Sequence, residues 1–526
     1  MAAPKTYPRP QPPCDARCRD RLSDLPDGVL GTILSFLPTK EAARAAALAR
    51  RWRRTFAGVD TISFVQREAH SNDNYTFMGS AQERRSKNGD FIDEVNAALL
   101  CRRRCGSHGA PRVFRVNFGC FDCWDRPMLN RWLYSVLNRT AQELHLDLRL
   151  QHAATGEHYV GDPRDDGTDV NSDADFPADD DECRAYGHDA HQYKLPRRLF
   201  SCATIRTLCL DACSLQPPEL LDLPLLETLF LSNIRNSGSS VQRCDNIQRL
   251  ISSCPRLIDL TLERCGEEDK CFTTPAPDNS YTITVLDKQL HRFAIRCCHN
   301  LVRASIDASE LREIDYRGAV PSESLLDLHG AHKKISSCSV GFCGKKVYKG
   351  EMPRFRKLLD QFTDTRHLHL DSTHLGSDIE NKSFTGFPSF PNLVRLELTG
   401  YLQIGSIRAM IMILEQAPSI EVLTLFFKPI YQQRFETLWV QLHKLNDEIL
   451  VPDVSIMCLR NRVKRINLVH YRGHVVQRKV AKLLFSNALV LEQACVVFPR
   501  GPQEVQLKLK NEIDGWVVNK SAKTIF

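Results

Sequence analysis

A short apolar pattern, apolar-x-x-apolar-x-apolar, recurs along most of the chain. Its second and third apolar positions are two residues apart, so they lie on one face of a strand. Stacking many such units side by side buries a continuous core and forms a parallel sheet. Twelve copies are present, beginning at Val113, Ala141, Ile205, Leu226, Leu257, Leu290, Leu301, Leu311, Thr365, Leu393, Ile420 and Val463.

Helix-compatible segments separate several of these copies, for example residues 241–253 and 406–416. The spacing between successive strand centres is irregular, whereas a regular leucine-rich array repeats every 20–29 residues or so. We therefore predict an α/β repeat fold, an irregular leucine-rich solenoid with a parallel sheet. The alternative is an unrelated α/β domain with leucine-rich strands.

The stretch from Asp20 to Phe56 has a different, helical period. Leu25-Pro26 predicts a helix start, because proline needs no hydrogen-bond partner in a first turn. Pro38 ends that helix, and Thr39 can cap the next one. The first helix carries an apolar stripe of Val29, Leu30, Ile33, Leu34 and Leu37, and Leu48, Trp52 and Phe56 follow at i, i+4 and i+8.

A domain of about 40 residues rarely holds a core without a partner, so this stretch is expected to dock helix against helix onto another protein. The alternative is an ordinary helical hairpin that caps a larger core.

The segment LPDGVLGTILSFLPTKEAARAAALARRWR resembles an F-box, most closely that of the plant F-box proteins that carry leucine-rich repeats. The resemblance implies binding to the SKP-type adaptor of a cullin ubiquitin ligase, and through it to a cullin. Residues that stand where that family contacts the adaptor are Leu25, Pro26, Ile33, Leu34, Leu37, Pro38 and Trp52.

The resemblance extends to the repeats at residues 195–215 and 306–318, and more loosely to a terminal FBD-like domain at residues 461–498. The expected organisation has five parts. They are a disordered leader (1–19), a small all-α F-box (20–60), a linker or first cap (61–110), the leucine-rich solenoid (111–455) with an acidic disordered insert (161–182), and an FBD-like C-terminal cap (456–526).

Composition adds limits on partners and compartment. The net charge of +7 over 526 residues is too mild for a nucleic-acid-binding footprint, so no nucleic-acid partner is expected. No run reaches membrane-spanning length and no signal peptide is visible, so no membrane association is expected either. The 20 cysteines are scattered through strand-like runs, which favours free thiols in the cytoplasm or nucleus.

Metal and catalytic patterns are weak. Cys14 and Cys18 need two further ligands, Cys120-x-x-Cys123 has no second half, and the acidic insert has Ala174 where a calcium loop needs glycine. His367, His369 and Asp371 lie on one side of a strand, an arrangement poorly suited to tetrahedral zinc. No nucleophile or phosphate-loop motif has suitable context, so we expect no metal, no cofactor and no catalysis.

Strand residues between the inward leucines should face the open, concave side of the solenoid. A mixed charged and aromatic surface there suits protein recognition. The residues proposed to bind a target protein are Phe230, Glu263, Arg296, His369, Glu397 and Phe426.

The first hypothesis is a non-catalytic substrate receptor of an SKP–cullin–F-box ubiquitin ligase, with an unidentified target. The alternatives are an F-box scaffold or regulatory binder that does not lead to degradation, and a small-ligand co-receptor. The sequence disfavours an enzyme.

Overall fold

The computed structural model describes residues 22–66 (apart from 23), 81–104, 111–121, 125–137, 141–150, 193–234, 240–265, 280–330, 334–343, 351–374, 386–402, 406–428 and 449–526. The leader at 1–19, the acidic insert at 161–182 and the Cys14, Cys18 and Cys123 sites lie outside the described residues.

Eleven α-helices are described, and they fall into an N-terminal group of three and a scattered set along the repeats. They are α1 (Asp27–Ser35), α2 (Thr39–Leu48), α3 (Arg50–Ala57), α4 (Ala81–Arg104), α5 (Arg126–Leu137), α6 (Ser240–Ser252), α7 (Met352–Asp360), α8 (Ser406–Glu415), α9 (Met457–Asn461), α10 (Val475–Asn487) and α11 (Gln503–Trp516).

Twenty strands are described, and fifteen of them form one sheet. The main-sheet strands, in their order across the sheet, are β1 (Thr61–Val65), β2 (Val113–Phe121), β3 (Glu143–Leu150), β5 (Thr207–Asp211), β7 (Thr228–Ser232), β8 (Asp259–Glu263), β10 (Arg292–Arg296), β12 (Glu313–Gly318), β14 (Ser337–Phe342), β15 (His367–His374), β16 (Arg395–Tyr401), β17 (Val422–Phe427), β18 (Arg465–Val469), β19 (Gln493–Val497) and β20 (Lys523–Ile525). The others are β4 (Tyr193–Lys194), β6 (Cys213–Ser214), β9 (Tyr281–Val285), β11 (Leu301–Asp307) and β13 (Leu326–His329).

Every pairing in the main sheet is parallel, and the apolar rows stay in register from one strand to the next. Leu208, Leu229 and Leu260 pair in succession, and all three are fully buried. Each strand therefore covers the apolar face of its neighbour, and one core runs from Ile62 to Val517. The predicted leucine-rich solenoid with a parallel sheet is confirmed.

Between β8 and β14, three successive connections between main-sheet strands contain a short strand. Other connections in the sheet contain a helix at this place. Strands β9, β11 and β13 form a separate parallel sheet in the order β13-β11-β9. The copy that begins at Leu301 belongs to this smaller sheet, so its assignment to the main series was wrong. The segments that hold β11 and β13, residues 297–312 and 319–336, are shorter than the helix-bearing segment 402–421, and a strand spans a given distance with fewer residues than a helix.

Two details of the apolar pattern also differ from the prediction. In β2, Phe114 pairs with Leu144 and Val116 with Leu146, so the aligned copy begins at Pro111 and not at Val113. Strands β1, β14, β19 and β20 had no predicted copy. In β14 and β19 the inward positions include Cys338 and Ala494, both 1% exposed. A search for large apolar residues such as leucine does not find these smaller ones.

The chain turns in the same way at the end of several main-sheet strands. The residue just after the strand has a left-handed φ of 48–60° at Ala212, Asn233, Arg264, Cys297 and His470. The next side chain then points back into the core, as Cys213, Cys265 and Cys298 do. Two of these thiols donate to a carbonyl of the preceding main-sheet strand: Cys265 Sγ lies 3.4 Å from the Leu231 oxygen, and Cys298 Sγ lies 3.5 Å from the Leu262 oxygen.

The N-terminal helices have a separate small core of Leu34, Ala42, Ala46, Phe56 and Val59. They join the sheet at its first strand, where the Ser63 backbone N–H donates to Thr39 Oγ1 at 2.7 Å. Lys40 Nζ also lies 3.1 Å from Glu94 on α4.

The sheet extends beyond the predicted solenoid boundaries in both directions. Its first strand, β1, lies inside the segment 61–110, and β18, β19 and β20 lie inside 456–526. The linker and the C-terminal cap of the prediction thus supply sheet strands of their own.

Candidate interaction surfaces

Two prolines and one extended residue mark the starts of the three N-terminal helices. Pro26 and Pro38, with ψ of 149° and 140°, immediately precede α1 and α2, and Ala49 is extended between α2 and α3. Arg51 Nε donates to Asp27 Oδ1 at 2.7 Å and ties α3 to the start of α1. The helices therefore form a closed unit with its own core.

The residues predicted to contact an adaptor divide into three groups. Pro26, Leu37 and Pro38 are exposed, and Leu25, Ile33 and Trp52 are half-buried. Leu34 is 1% exposed and belongs to the core of the unit, so it supports this surface from within.

Four large apolar residues of the same unit are exposed and were not among the predicted contacts. Phe36 and Leu48 are 82% and 87% exposed, and Leu22 and Val29 are 53% and 44% exposed. Phe36 follows α1 and lies outside the predicted stripe. The predicted continuous face of Leu48, Trp52 and Phe56 was wrong, because Ala49 is extended and ends α2 before α3 begins. We predict that these exposed side chains contact another protein.

The main sheet also presents a polar face, formed by the side chains that alternate with the buried rows. We call this the outward face. All six predicted target-binding residues lie on it and are half-buried: Phe230, Glu263, Arg296, His369, Glu397 and Phe426.

Glu263 and Arg296 pair across β8 and β10, and Asp315 on β12 completes the cluster. Arg296 Nη2 donates to Asp315 Oδ2 at 2.6 Å, and Nη1 donates to Glu263 Oε2 at 3.4 Å. Burial opposes the charge on Arg296, but Asp315 and then Glu263 outweigh it and raise its pKa. Sequence reasoning missed Asp315, although it alternates with Ile314 and Tyr316 as the other outward residues do with theirs.

A second charged cluster lies further along the same face. Asp371 on β15 contacts Lys428, which follows β17, and Arg317 Nη2 lies 4.0 Å from Asp371 Oδ2. Lys428 carries no sequence signal, because it follows the strand and reaches back over β16. Oppositely charged groups thus alternate along the face, which suits a polar protein partner.

His369 and Glu397 pair on β15 and β16, next to His367. His367 Nε2 lies 3.4 Å from Glu397 Oε1, and the proximity of His367 lowers the pKa of the carboxyl against the opposing effect of burial. Burial lowers the pKa of His369, and its two ring nitrogens lie 3.2 Å and 3.0 Å from Ser339 and Thr399 hydroxyls. Hydroxyl groups of the two neighbouring strands thus engage both ring nitrogens of His369.

The two predicted aromatic residues are far apart. Phe230 lies on β7 and Phe426 on β17, seven strand positions away in the sheet. At about 4.8 Å per strand, that separation is roughly 30 Å, so they belong to different parts of the outward face.

The architecture is a small helical unit with its own core, joined to a leucine-rich-repeat sheet with a polar outward face. The F-box domain family matches residues 22–61, and the family described as "FBD-associated F-box protein At5g56370, LRR repeats" matches residues 184–318. The chain therefore carries an F-box followed by leucine-rich repeats, the combination found in plant F-box/LRR proteins. Both matches end before residue 461, so an FBD-like domain there stays a prediction.

Similar proteins come from Arabidopsis thaliana. F-box protein At4g27050 is 34% identical over 24% of this chain and 28% of its own length. F-box/LRR-repeat protein At3g59200 is 26% identical over 58% of this chain and 47% of its own length. F-box/LRR-repeat protein At3g58900 is 30% identical over 42% of this chain and 61% of its own length. The chain thus spans less than two thirds of the length of these relatives.

Among the described residues, no helix has the length and apolar content needed to cross a bilayer.

Proposed function

We propose that this chain is a non-catalytic substrate-recognition subunit of an SKP–cullin–F-box ubiquitin ligase. In this proposal the F-box binds the SKP-type adaptor and the outward face binds a target protein. The observation that carries the proposal is the F-box unit itself, which closes its own core and still exposes Phe36 and Leu48.

The mechanism would be proximity. A target held on the outward face is brought close to the ubiquitin-loaded conjugating enzyme, and effective concentration replaces bond-breaking chemistry in this chain. The mixed charges around Arg296 and Asp371 would select the target by complementarity.

We further propose the cytosol and nucleus as its compartments. Eleven of the described cysteines are thiols that form no disulfide, and seven of these are buried in the repeat core. A reducing environment keeps thiols in this form.

Leu48 and Leu220 provide a matched test of the adaptor surface. They are 87% and 88% exposed, and only Leu48 lies in the F-box. Burying one leucine contributes about 1.5–3 kcal/mol, so Leu48→Arg should weaken adaptor binding by about tenfold or more. The measurement is titration of the purified full chain with a purified SKP-type adaptor.

Leu220→Arg should leave the affinity unchanged. Equal affinities for the two variants would show that Leu48 is not part of the adaptor-binding surface. If the unmodified chain binds no adaptor, the proposal is refuted. Recovery of the adaptor from plant cells without cullin or ubiquitin conjugates would support the regulatory-binder alternative.

A further inference from the structure

Two thiols and an imidazole converge at one end of the main sheet. Cys297 directly follows β10, His299 lies two residues further, and Cys343 directly follows β14. Their ligand atoms all lie within 4.8 Å of one another, and Cys343 Sγ is 3.7 Å from His299 Nε2. None of these residues was a predicted site residue.

The fold brings them together across an intervening strand. Strands β10 and β14 are not neighbours, because β12 lies between them and ends at Gly318. The backbone N–H of Cys297 donates to the Arg317 carbonyl, and that of Cys343 donates to the Gly318 carbonyl at 3.0 Å. Both cysteines are therefore held by the end of the same strand.

The left-handed turn and the glycine contribute to this arrangement. Cys297 has a φ of 52°, an uncommon conformation for a residue with a side chain. Gly318, whose carbonyl accepts from Cys343, has no side chain, and a Cβ there would lie 2.8 Å from the Tyr316 hydroxyl oxygen.

The spacing is that of ligands around one ion. In a tetrahedral zinc site with Zn–S of about 2.3 Å and Zn–N of about 2.0–2.1 Å, a sulfur and a nitrogen ligand lie about 3.6 Å apart. The 3.7 Å between Cys343 and His299 agrees with that value. All three residues are half-buried, so water can reach the cluster.

The chemistry of the donors suits a soft divalent ion. Hydrogen bonding from Cys343 and then from His299, with the charge of Arg317, outweighs burial and lowers the pKa of Cys297 to about 5. Burial instead raises the pKa of Cys209 to about 11. Thiol sulfur and imidazole nitrogen are ligands that zinc commonly takes in proteins.

We propose that Cys297, His299 and Cys343 form a zinc site, with water as the fourth ligand. The ion would tie the ends of β10 and β14 together beside Arg296 and Arg317 of the outward face. This proposal is independent of adaptor binding.

Cobalt(II) is the probe, because thiolate-bound cobalt absorbs by charge transfer and zinc does not. The full chain is reduced, stripped with a chelator and titrated with Co²⁺ alone. The unmodified chain should develop thiolate charge-transfer absorption that Zn²⁺ then abolishes. Cys343→Ser and His299→Gln should each bind one Co²⁺ ion fewer per chain than the unmodified protein. This difference holds even where other cysteines also bind cobalt.

Cys209→Ser is the matched control, since Cys209 is a half-buried outward thiol outside the cluster, and it should bind as many equivalents as the unmodified chain. Circular dichroism of each variant establishes that it is folded, and His299→Gln leaves both thiols and their backbone hydrogen bonds in place. Equal stoichiometry in all folded variants would overturn the proposal. A Cys297–Cys343 disulfide in peptide mass mapping, with no cobalt bound after reduction, would also overturn it in favour of a redox pair.

Discussion

At the residue scale, the backbone conformation and the neighbouring side chains decide which amino acid fits a position. Gly473 shows both effects, since it has a φ of 75° and a Cβ there would lie 2.4 Å from Leu509 Cδ2. It lies in the turn between β18 and α10, just after the buried Tyr471. Only glycine fits such a turn without strain.

Gly473→Ala should therefore destabilise the protein. The left-handed φ costs about 1 kcal/mol for a residue with a side chain, and overpacking against Leu509 adds about 1–3 kcal/mol. Denaturant unfolding of the full chain measures the change.

Gly515→Ala is the control for this substitution. Gly515 lies in α11, and a Cβ there would meet nothing within 4 Å. Alanine is the better helix former, so this variant should be neutral or slightly more stable. A loss of stability equal to that of Gly473→Ala would contradict the steric explanation.

At the element scale, a buried ion pair joins helices α10 and α11 near the C-terminus. Arg478 on α10 is 2% exposed, and its Nε donates to Glu512 Oε2 on α11 at 2.9 Å. A second contact joins Arg478 Nη2 to the other carboxylate oxygen. This two-point pairing fixes the approach of the two helices.

Glu512→Gln should cost about 3 kcal/mol, because it leaves the buried guanidinium without its counter-charge. Thermal and denaturant unfolding measure the loss. The double variant Arg478→Met with Glu512→Leu should recover part of the stability, because it removes both charges.

Glu421→Gln provides the comparison for an exposed pair. Glu421 lies 3.2 Å from Lys464, with side-chain exposures of 39% and 48%, and its loss should cost less than about 1 kcal/mol. Equal costs for Glu512→Gln and Glu421→Gln would mean that burial does not govern these pairs.

At the scale of the whole molecule, two cores of very different size meet at β1. The F-box core holds five buried residues, including Leu34, whereas the repeat core continues from Ile62 to Val517. Since each repeat contacts mainly its neighbours, a local defect in the small core should stay local.

Leu34→Ala should therefore open the F-box without loosening the repeats. Leu→Ala in a core costs about 2–5 kcal/mol, which is large for a unit of this size. Hydrogen exchange read by mass spectrometry should show faster exchange in residues 24–59 and unchanged protection in β7 and β8. Leu229→Ala, a fully buried repeat leucine, should do the reverse. Faster exchange in β7 after Leu34→Ala would show that the two cores unfold together.

The sequence by itself determined the order and type of the two modules. The i, i+3, i+5 spacing of Leu226, Leu229 and Leu231 is local, so strand and inward face can be read from it directly. Pro26 likewise marks the start of the first helix and Pro38 lies just beyond its end, because their backbone restrictions act within one turn.

Only the tertiary structure decided which side chains remain available and which of them meet. Leu34 is buried whereas Phe36 and Leu48 are exposed, because the three helices close on one another. Cys343 and His299 are 44 residues apart in the sequence, and they meet because β10 and β14 both pair with β12. Each of these pairings has its own register, and the two registers together place the strand ends side by side. Connecting segments of unequal length hide that register from any local pattern, so clusters across strands become visible only once the chain is folded.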